Sequence, residues 1–123
     1  MTDTPASATV WIEIPVTDLD RAMRFYAAVT GCALTLDTTG PKPVANFAFG
    51  SGVGGHLFVG TPATDGQGPL VHLAVAGSAE AAAARCRDAG GTVVSPVIAI
   101  PPGRFTYARD PDGNAIGLFA PAA

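Results

Sequence analysis

From residue 10 to residue 16 the chain alternates with a period of two. Val10, Ile12, Ile14 and Val16 fall on one side, and Trp11, Glu13 and Pro15 on the other, the pattern of a strand buried on one face. The period then lengthens. Thr17 or Asp18 offers an N-cap oxygen, Leu19, Met23, Tyr26 and Val29 recur at helical spacing, and Gly31 supplies a left-handed stop. Three antiparallel strands are expected next, at about 33–38, 44–49 and 56–60, punctuated by Gly40-Pro41 and by the loop from Gly50 to Gly55. The same order then begins again. A strand at 70–75 leads to a helix capped by Ser78, rich in alanine and ended by Gly90-Gly91, and strands are predicted near 92–94, 105–109 and 115–119. The turn Asp110-Pro-Asp-Gly-Asn joins the last two, its Asp-Gly and Asn tolerating positive φ.

The two halves are a repeat. Asp18 falls opposite Gly77, Gly31 opposite Gly91 and His56 opposite Gly117, an offset of about 60 residues. A unit of that size cannot bury its own apolar face, so the halves must pack together. The expected fold is α+β: two βαβββ modules forming a curved mixed sheet around a cleft, within a single domain spanning residues 1–123. Module one covers about 9–60, module two about 70–120, and the stretch between them, about 61–69, is a Pro- and Gly-rich linker that is expected not to pack.

Composition narrows the classes of function. The 123 residues are 48% hydrophobic and 14% charged, enough apolar matter for one core. With a net charge of −3 and 7 scattered basic residues, nothing attracts a phosphate backbone or anionic lipid, so nucleic acid and membrane are excluded as partners. No apolar run reaches the roughly 20 residues that span a bilayer, and the first residues lack signal-peptide character, so a cytoplasmic location is expected. Cys32 and Cys86 lack metal-clip spacing and read as small buried hydrophobes in a reducing compartment. The glycine loop at 51–55 precedes no helix, so it forms no phosphate cradle and reads as a flexible connection. No serine or cysteine sits in a nucleophile elbow.

The phrase EIPVTDLDRAMRFY, the glycine at the helix end, and a doubled module closing on DPDGN and an apolar strand together resemble the vicinal oxygen chelate superfamily. That group includes glyoxalase I, bleomycin and fosfomycin resistance proteins, and extradiol dioxygenases. The resemblance covers about 9–120 and implies paired βαβββ half-barrels around a cleft, commonly in a homodimer. It also implies metal-ligand positions on the first and last strands of each module, which fall on Trp11, His56, His72 and Gly117. Only the two histidines can bind a metal, so the ligand patterns of fosfomycin-resistance, extradiol and glyoxalase I relatives are all incomplete. A glyoxalase-like subgroup that opens on W-x-E-I-P-V, closes on DPDGN-x-I-G-L and lacks the full ligand set is more similar.

His56 and His72 are the only histidines in the chain. A zinc site takes three protein donors and a non-haem iron site two imidazoles with a carboxylate, so a third donor is required. Glu13 is the candidate: it shares a strand face with Trp11, about 6–7 Å further along. Trp11 offers one donor and a broad apolar ring, suited to stacking on a flat ligand. By alternation Phe58 shares the His56 face, Phe119 shares the Gly117 face, and Tyr107 and Arg109 share one face with Phe105, so together they would wall an aromatic pocket with one phenol and one guanidinium. The plain alternatives are hydrogen-bonded strand histidines, core or interface packing for the aromatic residues, and a Glu13 paired with Arg104 or Arg109.

Two functions are expected on this basis. One is a small-molecule-binding protein or enzyme without the superfamily's full metal site, stacking a small organic ligand on Trp11, Phe58 and Tyr107, or handling protons with His56, His72 and Glu13. The other is a lyase or isomerase of glyoxalase I type, with a divalent ion (Zn, Ni, Mn or Fe) on His56, His72 and Glu13 that polarises a carbonyl. A subunit with a vestigial cleft filled by its own side chains is a third, structural alternative.

Overall fold

The structure, a computed structural model, describes residues 4–122. The first half runs β1 (Trp11–Val16), α1 (Leu19–Thr30), β2 (Thr35–Asp37), β3 (Val44–Asn46) and β4 (Gly54–Val59). These strands form one sheet in the order β1-β4-β3-β2, with β1 and β4 parallel and the other pairs antiparallel. Of the two N-cap candidates it is Asp18 that serves: its Oδ1 accepts from the Arg21 N–H at 3.0 Å. Gly31, at φ 81, ends α1 and returns its N–H to the Ala27 carbonyl, a stop that glycine reaches without steric cost.

The second half runs β5 (Val71–Ala74), α2 (Ala79–Asp88), β6 (Thr92–Val93), β7 (Ile98–Ile100), β8 (Gly103–Arg109) and β9 (Ala115–Pro121). Its sheet is ordered β5-β9-β8-β6, and β7 adds to β8. Strand β7 is absent from the sequence reading, because Pro96 before it and Pro101-Pro102 after it read as loop punctuation. It fits because β8 is long: β6 pairs with its end at Ala108 and Arg109, β7 with its start at Gly103 to Phe105. The fold is therefore α+β, with two mixed sheets and one helix on each.

Both sheets turn their helix-bearing faces toward a shared core. Ile14, Val16, Ala45 and Leu57 of the first sheet, Phe25, Tyr26 and Val29 of α1, Ala79, Ala82 and Cys86 of α2, and Ala108, Ile116 and Leu118 of the second sheet form one buried cluster. The alanines of α2 let it lie close against α1. A Cβ on Gly31 would stand 2.7 Å from that of Ala76, where the modules meet. Polar groups fasten the joint. The Tyr26 hydroxyl donates to Asp110 Oδ2 at 2.7 Å, Asn114 Nδ2 donates to the Pro15 carbonyl at 2.8 Å, and Arg85 donates to the carbonyls of Ala28, Val29 and Ala76. Thr17 and Arg21 both donate to Asp112.

Several expectations are corrected. Cys32 is exposed, since it follows the helix stop and turns away from the core, whereas Cys86 is buried; both are free thiols. The linker does pack: the Gly66 N–H donates to the Gly113 carbonyl, and Gly66 lies against Arg109. Within the glycine loop, Gly54 and Gly55 are buried residues of β4, because Phe49 lies across the first and the Ile12 carbonyl across the second. At the Asp110 turn only Gly113 takes positive φ, at 93°, and Asn114 does not. Among the described residues no helix is long and apolar enough to cross a membrane.

Candidate functional site

The sheet faces opposite the helices carry the candidate residues. On the first sheet the parallel register puts Glu13 opposite His56 and Trp11 opposite Gly54. The Phe49 ring fills the space over Gly54, and Trp11 Nε1 donates to His56 Nδ1 at 3.0 Å. On the other edge of the ring, His56 Nε2 lies 3.0 Å from Glu13 Oε1. An indole N–H can only donate, so Nδ1 must be the accepting nitrogen. The proton then belongs on Nε2, directed at the carboxylate. His56 is mostly enclosed, its side chain 16% exposed, whereas Glu13 is 64% exposed. The second carboxylate oxygen of Glu13 has no hydrogen-bond partner among the described residues. Phe58 meets His56 edge-on at 6.3 Å, and Phe49 meets Trp11 at 6.0 Å.

On the second sheet His72 stands opposite Gly117. Its ring occupies the space a side chain at Gly117 would fill, since a Cβ there would come within 2.1 Å of Nδ1. Around it lie Phe105, at 5.1 Å between ring centres, and Tyr107, at 5.9 Å. Phe119 is paired with Phe105, and Arg109 follows two residues after Tyr107 on the same face. A groove of about 450 Å³ runs past His72, Tyr107 and Arg109 to Gly66 and Leu70.

The structure thus brings Trp11, Glu13, His56 and Phe58 together on one sheet, and His72, Tyr107, Arg109 and Phe119 on the other. It does not gather Glu13, His56 and His72 at one point: His56 and His72 belong to different sheets and line different pockets. Glu13 pairs with His56, not with either arginine; Arg104 bonds Glu80 instead. The two halves share one register. His56 faces Glu13 and its counterpart Gly117 faces His72, so Glu13 holds the place in the first sheet that His72 holds in the second. Helix-anchored spacing points to Trp11 for that place, because spacing along a chain carries no information about strand register. Phe49 is the aromatic residue the sequence reading passed over; its signal is Gly54, whose missing side chain leaves room for a ring.

Within one chain the donors at these places, Glu13, His56 and His72, are not gathered around one point. Of the four equivalent places, Gly117 has no side chain, and His56 Nδ1 is taken by the Trp11 N–H. Among the described residues no group of three His, Cys, Asp or Glu side chains is arranged to hold one.

Comparison with known proteins agrees with this architecture. The Glyoxalase/Bleomycin resistance protein/Dioxygenase superfamily matches residues 8–118. A glyoxalase/bleomycin resistance protein from Albidiferax ferrireducens T118 superposes with a TM-score of 0.75 at 22% identity, over 94% of this chain and all of that one. A glyoxylase/bleomycin resistance protein/dioxygenase domain from Frankia sp. EAN1pec gives 0.68 at 18%, over 97% and 94%. TnmS3, an antibiotic binding protein from Streptomyces sp. CB03234, gives 0.62 at 28%, over 97% and 100%. No curated protein matches the chain. With the match running through both modules, the chain belongs to the glyoxalase/bleomycin resistance protein/dioxygenase superfamily.

Proposed function

We propose that this protein binds a small planar organic molecule on its open aromatic faces and does so without a metal ion held by its own side chains. The observation that carries the reading is the closed hydrogen-bond set of His56. With Nδ1 accepting from Trp11 and Nε2 directed at Glu13, the imidazole is built as a rigid wall, and the indole beside it is 43% exposed. A half-exposed aromatic next to a polar carboxylate suits a ligand that stacks and accepts or donates one hydrogen bond. The likeness to an antibiotic binding protein of similar length supports binding over turnover.

A second copy of the chain belongs to the same reading. Trp11, Phe49, Val53 and Leu70 are all more than a third exposed, which is costly for an isolated subunit and natural for sheet faces that a partner covers. A homodimer would close each open face into a cleft. The two free thiols suit a reducing, cytoplasmic setting.

The test is direct. Protein purified without a histidine tag, dialysed against chelator, reloaded with Zn, Ni, Mn or Fe and washed is expected to retain no stoichiometric metal. It is also expected to change its Trp11 fluorescence with a panel of planar aromatic molecules. One tightly held ion per chain would overturn the metal-free reading and return the lyase or isomerase reading to test. A flat fluorescence response across the panel would remove stacking on Trp11.

A further inference from the structure

The second sheet carries a cation that forms no ion pair among the described residues. Of the six arginines, Arg21, Arg24 and Arg104 meet carboxylates and Arg85 meets three backbone carbonyls. Arg87 stands exposed on α2. Arg109 is half-buried, yet among the described residues its guanidinium has neither a carboxylate nor a carbonyl partner. Of the nearby acids, Asp110 is held by Tyr26 and Asn114 and Asp112 by Thr17 and Arg21, while Asp65, beside Gly66, is exposed and forms no ion pair with Arg109. Nor is Arg109 loosely placed. A Cβ on Gly66 would come within 2.8 Å of its Nε, so the linker glycine lies against the guanidinium, and Arg109 lines the groove with His72 and Tyr107.

We infer that this groove selects a planar aromatic carboxylate. Its ring lies over His72 and Tyr107, and its carboxylate meets the Arg109 fork in a paired, two-bond contact. The inference rests on the proposed small-molecule binding and assigns the chemical class of the ligand. A half-buried guanidinium without a counter-ion is held out of bulk water at a cost that an anion would offset. The three rings His72, Phe105 and Tyr107, edge-to-face or tilted at 5.1 to 5.9 Å, make an apolar floor that holds a flat body and not a hydrated inorganic ion.

The test uses the whole chain and two probes of one shape, a naphthalene carboxylate and the matching carboxamide, titrated by calorimetry in low and high salt. The carboxylate is expected to bind about tenfold more tightly or better, the worth of a charged hydrogen-bond pair, and to lose that margin in high salt. Arg109→Gln should erase the preference, with a native urea midpoint reporting that the variant is folded. Arg109→Lys should restore only part of it. Equal binding of the two probes to the native chain, or a preference that survives Arg109→Gln, overturns the anion site while leaving small-molecule binding intact. Binding of neither probe overturns this inference, and with a flat Trp11 response the broader reading falls too.

Discussion

Trp11, His56 and Glu13 form a chain of contacts whose direction is set by one donor that cannot accept. The indole N–H selects the tautomer of His56, so Trp11 acts as a positioning residue whatever the ligand. Nitrogen-resolved NMR of the imidazole is expected to show an unprotonated Nδ1 and a protonated Nε2. In Trp11→Phe, with the donor gone, the two tautomers should mix; a spectrum unchanged by that substitution would refute the pairing. Two glycines show how the same change costs differently in different surroundings. A methyl at Gly91 would meet Cys86 Sγ at 2.6 Å, the Phe25 ring at 2.7 Å and the Arg109 carbonyl at 2.8 Å, all in packed surroundings. Gly91→Ala is therefore expected to destabilise by about 1–3 kcal/mol, the usual cost of overfilling a core. A methyl at Gly117 meets the His72 ring first, and His72 is exposed and can swing aside. Gly117→Ala should leave the urea midpoint close to native and instead shift the His72 and Tyr107 ring resonances.

At the scale of elements, the turn between β8 and β9 is more than a hairpin connection. The Asp110 carboxylate accepts from the Tyr26 hydroxyl and Asn114 Nδ2 on one oxygen and from the backbone N–H groups of Asp112 and Asn114 on the other. One buried anion thereby ties α1 of the first module to the turn of the second. Tyr26→Phe removes one donor from that carboxylate, and a loss of about 1.5–3 kcal/mol is expected from urea unfolding, as for hydrogen bonds to charged groups. A loss below a few tenths would show that water replaces the phenol. The motif DPDGN was legible as a turn because Asp-Gly states its backbone geometry locally. Its second role was not legible, since Tyr26 lies 84 residues away and no local pattern announces such a partner. Strand β7 was missed for a related reason. It is short, hemmed by prolines, and owes its place to the free edge of β8.

For the whole molecule, the shared core behind the two open faces ties stability to alkaline pH. Burial, with the Asp110 carboxylate beside it, holds the Tyr26 phenol well above its ordinary 10.0. Burial likewise pushes the Cys86 thiol from 9.0 up to about 11. Both folded-state values are raised, so the unfolded chain releases these protons first. Stability is then fully present below pH about 9, and the Cys86 share is lost between 9 and about 11, with the Tyr26 share declining from 10 upward. Urea midpoints measured from pH 7 to 11 should fall along that course, and Cys86→Ala should flatten its first part. A midpoint level up to pH 11 would contradict the burial of both groups.

The alternation of residues 10–16, the two capped helices and the repeat at a fixed offset followed from the sequence alone, because strand period, helix period and capping are local properties of the backbone. Local periodicity also told which residues share a face: His56 with Phe58, and Phe105 with Tyr107 and Arg109. What tertiary structure alone decided was the level at which strands pair and what each polar group finds across the gap. Parallel pairing set Glu13 against His56 and His72 against Gly117, and the fold of the linker laid Gly66 on Arg109. Those choices belong to residues 43 or more apart in the chain. They are set by how two modules bury one core together, a quantity no single stretch of sequence contains.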